Sequence, residues 1–78
     1  MMIEAIELLN EICDDNTVPK NIRSKIKNTV IILKEDKESS LRVNESLQQL
    51  EEISDDPNIS SYTRAQVWNV VSLLESIK

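Results

Sequence analysis

The 78-residue sequence contains no glycine and no histidine, and these two absences remove whole classes of functional site. Without glycine there is no phosphate-cradling loop, no dinucleotide-binding fingerprint and no tight primed hairpin turn. Without histidine, the commonest general base and the commonest metal ligand are missing. We therefore expect a protein that is not an enzyme and that holds no cofactor or metal.

Other residue types are scarce, and this bears on compartment and membrane contact. The sequence has one cysteine, Cys13, which cannot form an intrachain disulfide and so fits a reducing compartment. At the N-terminus no basic region precedes the apolar residues, and Glu4, Glu7 and Glu11 interrupt them, so neither a signal peptide nor a membrane span is indicated. The sequence predicts a cytoplasmic protein without membrane contact.

The apolar residues that are present recur at helical spacing. Steps of three and four residues predict four helices, at about 3–13, 19–34, 40–54 and 61–77. Pro19 favours a helix start, and serines are expected to cap the last two helices, Ser39 or Ser40 for the third and Ser60 or Ser61 for the fourth. The fold class is therefore all-α, in a single domain over residues 1–78.

The sequence also repeats itself. When residues 2–37 are compared with residues 43–78, eleven of the 36 pairs are identical, without a gap. Unrelated chains would match at roughly one position in fifteen. The comparison predicts two tandem antiparallel helical hairpins, arranged either as a stacked HEAT-like pair or as a small four-helix bundle; a period of about 40 residues is typical of HEAT and armadillo units. An accidental alignment of two amphipathic hairpins is the competing interpretation.

Two resemblances follow from these segments. The hairpin, with aspartate in its turn and arginine in its second helix, resembles HEAT-like repeats. The whole chain is similar to a small archaeal family catalogued as uncharacterised protein family 0147, through "VPKNIR" (18–23), "RV" (42–43), "EISDDPN" (52–58) and "TRAQVW" (63–68). That resemblance implies an all-helical fold and no known activity.

Paired acidic residues followed by an arginine occur once in each hairpin. We expect the carboxylates to accept hydrogen bonds from unpaired helix N–H groups and the arginines to bridge back to them. A calcium site is the alternative, but the loop template fails because glycine is absent. The structural prediction covers Asp14, Asp15 and Arg23 in the first hairpin and Asp55, Asp56 and Arg64 in the second.

Surface candidates come from positions where the two hairpins differ. Trp68 is equivalent to Lys27, and Ile31 is equivalent to Ser72. Tryptophan is enriched at interfaces, although it could also fold over the rim of the bundle. Helix 2 also has a basic face, which is either a solvated surface or a site suited to an acidic partner or to RNA; its candidate residues are Lys20, Lys27 and Lys34.

The predicted function is a non-catalytic protein-interaction module, with a protein partner or a homo-oligomer such as a dimer. The alternative is an accessory protein that binds RNA through the basic face of helix 2. Nucleic acid is the less favoured partner, since the net charge is −5 and only one tyrosine and one tryptophan are available for stacking.

Overall fold

The structure is a computed structural model that describes residues 2–77, and it consists of four α-helices joined by short connections. The helices are α1 (Met2–Cys13), α2 (Lys20–Lys34), α3 (Ser39–Ser54) and α4 (Ser61–Ile77). Residues 2–77 contain no strand. The all-α prediction is confirmed, and the helix bounds agree with the predicted ones within a residue or two.

The four helices form a closed bundle. Helix α1 contacts α2 and α4, and α3 contacts the same two helices. Within residues 2–77 the diagonal pairs α1/α3 and α2/α4 have no Cα atoms within 8 Å of each other. These diagonal pairs would be neighbours in a stacked HEAT-like pair, so of the two predicted arrangements the structure has the bundle. Its longest dimension of 33 Å accommodates helices of this length lying antiparallel along one axis.

The two hairpins are structural copies of each other. Every pair of equivalent residues from Ile3/Asn44 to Lys34/Glu75 has the same degree of burial, except Pro19 and Ser60. This agreement includes polar and exposed positions, which an accidental match of two apolar stripes would not align. The repeat seen in the sequence is therefore a repeat of the fold.

The core lies between the four apolar helix faces. On α2 the buried residues recur at the three- and four-residue steps that predicted this helix, with one neighbouring pair, Thr29 and Val30: Ile22, Ile26, Thr29, Val30 and Leu33. Small or hydroxylated residues also reach the core in ways that the apolar period does not reveal. Ser46 and Thr63 are buried at the positions equivalent to Ala5 and Ile22. A small residue at position 5 or 46 allows close packing against the neighbouring helices.

The connection within each hairpin is the same turn, used twice. After α1, the Asp15 N–H donates to the Ile12 carbonyl and the Val18 N–H donates to the Asp15 carbonyl, at 3.2 and 3.1 Å. After α3, the Asp56 and Ile59 N–H groups make the equivalent bonds. Val18 and Ile59 are both buried, so each turn is anchored to the core by one apolar side chain.

Helix starts differ from one another, and one serine cap was predicted wrongly. Ser60 caps α4 as expected, because its Oγ accepts from the Thr63 N–H at 3.1 Å. Neither Ser39 nor Ser40 caps α3: the N-cap is Glu38, whose carbonyl accepts the first helical bonds and whose side chain makes none to the helix. Ser39 is consequently already inside the first turn. Helix α2 begins after Pro19, also without a side-chain cap.

Candidate functional site

The arginine of each repeated turn occupies a half-buried position one turn into the second helix of its hairpin. Arg64 Nε donates to the Ser54 carbonyl at 3.1 Å, and another of its guanidinium nitrogens donates to the Asp56 carbonyl at 3.3 Å. The predicted bridge from Arg64 to the carboxylates of Asp55 and Asp56 is therefore wrong. The reason is that the Ser54 carbonyl, at the end of α3, lacks an intrahelical partner, and the guanidinium binds it and the Asp56 carbonyl of the following turn instead of the carboxylates.

Arg23 does not reproduce the bonds of Arg64, and its predicted bridge to Asp14 and Asp15 is also not formed. Its Nε is buried without a hydrogen-bond partner, whereas its backbone carbonyl accepts a weak bond from the Cys13 thiol at 3.6 Å. Within residues 2–77 the ion pair that does form joins Lys37 to Glu35, at 3.5 Å. The two arginines occupy equivalent positions but have different surroundings.

The second aspartate of each pair organises the turn rather than the helix that follows. Asp15 Oδ1 accepts from the Thr17 N–H at 2.9 Å and from the Thr17 hydroxyl at 2.6 Å. Asp56 Oδ1 accepts from the Asn58 N–H at 2.8 Å. These are Asx turns, the local motif that favours aspartate at this position. The first aspartates, Asp14 and Asp55, are exposed.

The Asp15 turn predicts a pH effect. The two Thr17 hydrogen bonds, foremost the hydroxyl bond, hold the pKa of the Asp15 carboxyl below its ordinary value. A carboxyl with a lowered pKa in the folded state stabilises the fold above its unfolded pKa, and this contribution is lost as pH falls through the folded pKa. Asp15→Asn keeps an acceptor oxygen but does not titrate, so we expect it to reduce the loss of stability as pH falls below about 4, the ordinary pKa of an aspartate.

Urea denaturation at each pH measures this effect, and Thr17→Val provides the control. Removal of the Thr17 hydroxyl is expected to raise the pKa of the Asp15 carboxyl, read from its carbonyl carbon by NMR. An unchanged titration midpoint in Thr17→Val would show that the hydroxyl bond does not govern this carboxyl.

The candidate interaction residues fall on two separate faces. On α2, steps of seven, four and three residues separate four exposed side chains, which therefore share one side of the helix: Lys20, Lys27, Ile31 and Lys34. Trp68 lies on α4, which is diagonally opposite α2; within the part of the chain that the structure describes, the Cα atoms of these two helices do not come within 8 Å of each other. We call these the basic face (Lys20, Lys27, Ile31, Lys34) and the Trp68 face.

On the Trp68 face, about half of the tryptophan side chain is exposed to solvent. Trp68 is 52% exposed. Its neighbours one turn away on the outer side are Ala65 and Ser72, both exposed and both small, so they leave the ring accessible. The interpretation of Trp68 as a ring folded over the bundle rim accounts for less than half of its surface.

Beside the basic face, a cleft of about 400 Å³ lies between the end of α1 and the start of α2. Three cations line it from α2, and three residues line it from the end of α1 and the turn after it: Lys20, Arg23 and Lys27 on one side, Asn10, Cys13 and Asp14 on the other. We call this the hairpin-1 cleft. It brings two of the predicted basic residues together with the repeated arginine, but not Lys34 or Ile31.

Cys13 continues the apolar spacing of α1, which predicts a small buried residue, but it is half-buried and lines this cleft. Burial, reinforced by the negative charge of Asp14, raises the pKa of the Cys13 thiol, while Lys27 and Arg23 act in the opposite direction. The thiol is therefore held in its protonated form, which is not the nucleophilic one.

Sequence reasoning missed the contribution of α1 to the cleft. The signal that could have found it is the antiparallel register of the hairpin. Residues 10 and 13 lie at the C-terminal end of α1, which must meet the N-terminal end of α2 across a six-residue connection. Asn10 and Cys13 then face the same groove as the α2 cations.

The fold and these surfaces define a class of protein: a small all-α bundle built from a duplicated hairpin, with one basic cleft and one exposed tryptophan. Comparison with family models assigns residues 1–77 to an uncharacterised protein family, UPF0147, and the chain belongs to that family. Among solved structures, the chain is similar to MMP1188, whose crystal structure is described as that of a protein of unknown function. The two are 41% identical, with a TM-score of 0.93 over 99% of this chain and 89% of the other.

A comparison with curated proteins finds no match. Among the described residues, no helix combines the length and apolarity needed to cross a membrane. The same residues contain no group of three or more cysteine or acidic side chains placed to hold a metal ion.

Proposed function

We propose that this protein is a non-catalytic interaction module that binds a protein through the Trp68 face, with a second copy of the chain as the first partner to test. The observation that carries the proposal is the half-exposed indole of Trp68. Its equivalent in the first hairpin, Lys27, is also exposed but is charged. A large apolar ring at a position that the fold also accepts as lysine is not required for packing.

The surroundings of Trp68 support contact with another protein. Ala65 and Ser72 leave the indole unobstructed, and the nearby cation, Arg64, is already engaged by two carbonyls. Tryptophan in such a setting supplies a large contact area at low entropic cost and is enriched among residues that dominate binding. Burial raises the pKa of the Cys13 thiol, which makes it a poorer nucleophile, and the sequence has no histidine; both support a role without catalysis.

Sedimentation across a range of concentrations tests the proposal. We expect the wild-type chain, 8.9 kDa as a monomer, to sediment at twice that mass at high concentration. Trp68→Lys introduces the residue that the first hairpin tolerates at the equivalent position, so it should leave the fold intact and shift the protein to monomer. Loss of a hot-spot tryptophan weakens an interface by about 2 kcal/mol or more, roughly thirtyfold in affinity.

Ile31→Lys is the matched control. The exposed fraction of Ile31, 55%, is similar to that of Trp68, but Ile31 lies on α2, diagonally opposite α4. We expect Ile31→Lys to remain dimeric. A wild-type chain that is monomeric at all concentrations would remove the self-association proposal, and a dimer broken by Ile31→Lys but not by Trp68→Lys would move the interface to the basic face.

RNA binding through the basic face is the second candidate, favoured by the shared side of Lys20, Lys27 and Lys34 on α2. An argument against RNA binding is that Trp68, the ring on which a base would stack, lies on α4, diagonally opposite α2. The ring and the cations are therefore not on one surface. RNA binding predicts salt-sensitive association that is lost in Lys27→Glu. Absence of binding to a single-stranded RNA at low salt would exclude this candidate.

A further inference from the structure

The hairpin-1 cleft concentrates positive charge on a protein whose net charge is negative. Four of the nine basic residues of the chain lie within residues 20–27, and three of these line the cleft. They face one carboxylate, that of Asp14. Lys20 and Lys27 are two helical turns apart on the same side of α2, about 10 Å along the axis, and Arg23 lies between them. A ligand between the lysines is therefore within reach of three cations.

The second hairpin provides an internal comparison, because its backbone turn and burial pattern are the same. The residues equivalent to Lys20, Arg23 and Lys27 are Ser61, Arg64 and Trp68, and Glu51 replaces Asn10. This equivalent surface has one cation and two carboxylates, whereas the cleft has three cations and one carboxylate. Since the scaffold is common, the difference in charge is not a consequence of the fold.

The hairpins also differ at the position that starts the second helix. Ser60 supplies a hydroxyl that caps α4, whereas Pro19 gives α2 no side-chain cap. The partial positive charge of the α2 N-terminus is therefore not offset by a cap and adds to the field of the lysines. The two arginines differ as well: Arg64 Nε is bonded to the Ser54 carbonyl, whereas Arg23 Nε is buried and makes no hydrogen bond to the end of α1.

From these differences we propose that the hairpin-1 cleft binds the phosphate group of a small phosphate monoester, held by Lys20, Arg23 and Lys27. The three cations suit a dianion better than a single carboxylate. The cleft volume of about 400 Å³ lies near the lower end of small-molecule sites, roughly 300–1,000 Å³, which favours a ligand of the size of a mononucleotide or a sugar phosphate. The site is independent of the Trp68 face, so either proposal can fail alone.

An NMR titration of the full chain with inorganic phosphate, in a low-salt buffer without other anions, tests the site against its internal control. We expect saturable amide shifts in residues 10–27 and none of comparable size in the equivalent residues 51–68. Acetate at the same concentration should produce shifts several times smaller. Equal shifts in both hairpins, or shifts that do not saturate, would overturn the proposal.

Two variants with the same loss of charge sharpen the test. Lys27→Gln removes a cation that lines the cleft, and we expect it to weaken phosphate binding about tenfold. Lys25→Gln removes a cation from the same stretch of α2 but outside the cleft lining, and it should weaken binding less than about twofold. Equal weakening by the two variants would mean that phosphate senses only the general charge of α2, and the site would be rejected.

A final comparison distinguishes the sources of the phosphate group. Adenosine monophosphate and a 5′-phosphorylated RNA hexamer are titrated under the same conditions. Affinity that is equal for the two, and reduced alike by Lys27→Gln, supports a small-molecule site. Affinity that rises steeply with oligonucleotide length and falls with salt would assign the cations to RNA and overturn the proposal.

Discussion

Replacing Leu9 by alanine is expected to lower the free energy of unfolding by about 3 kcal/mol, since Leu9 is fully buried and its loss leaves a cavity among four helices. A chain of this length has a total stability of the order of 4–12 kcal/mol, so this one change removes a large part of it. Because the hairpins are structural copies, Leu50→Ala should cost a similar amount, within about 1 kcal/mol. Urea denaturation followed by helical circular dichroism measures both.

Ile31→Ala is the control for this pair. Like the other two substitutions, it shortens a branched aliphatic side chain to alanine. Because Ile31 is more than half exposed, the change should lower the free energy of unfolding by less than about 1 kcal/mol. A loss below 1 kcal/mol for Leu9→Ala would contradict the burial of Leu9 in the core. A much larger loss in one hairpin than in the other would show that the shared burial pattern does not reflect equivalent packing.

Much of this fold follows from the sequence because the helical period is strong and the repeat needs no gap. The apolar positions of α2 predict its buried face residue by residue, and Pro19 and Ser60 place two helix starts correctly. The choice between stack and bundle could not be made in this way. Both arrangements bury the same apolar stripes, and they differ only in which helices become neighbours.

The candidate site was less predictable, since it depends on residues from two helices. The difference between Lys27 and Trp68 drew attention to both positions, but helical register alone does not show that α2 and α4 lie diagonally. The polar contacts were even harder to predict from the sequence. Ser39 and Ser40 have the right chemistry for a cap, yet the chain enters α3 one residue too early for either to use it.

The repeated arginines show the same limit of sequence reasoning. Acid pairs followed by an arginine suggest ion pairs, and the spacing within the hairpin permits them. Backbone carbonyls at the end of α3 and in the turn after it compete for the same guanidinium and are fixed by the backbone, whereas an exposed carboxylate must give up both its hydration and its side-chain freedom. Arg64 therefore binds Ser54 and Asp56 through their carbonyl oxygens.

These contacts predict that the two arginines, although equivalent in sequence, contribute unequally to stability. Arg64→Met preserves much of the aliphatic stem but removes the donors to two carbonyls, so we expect it to lower the free energy of unfolding by about 2 kcal/mol. Arg23→Met removes a guanidinium whose buried Nε has no partner, and it should cost under about 1 kcal/mol. Urea denaturation in low and high salt measures both variants, and bonds to uncharged carbonyls predict that the Arg64 effect survives in high salt. Equal losses for the two variants, or an Arg64 effect abolished by salt, would restore the ion-pair interpretation.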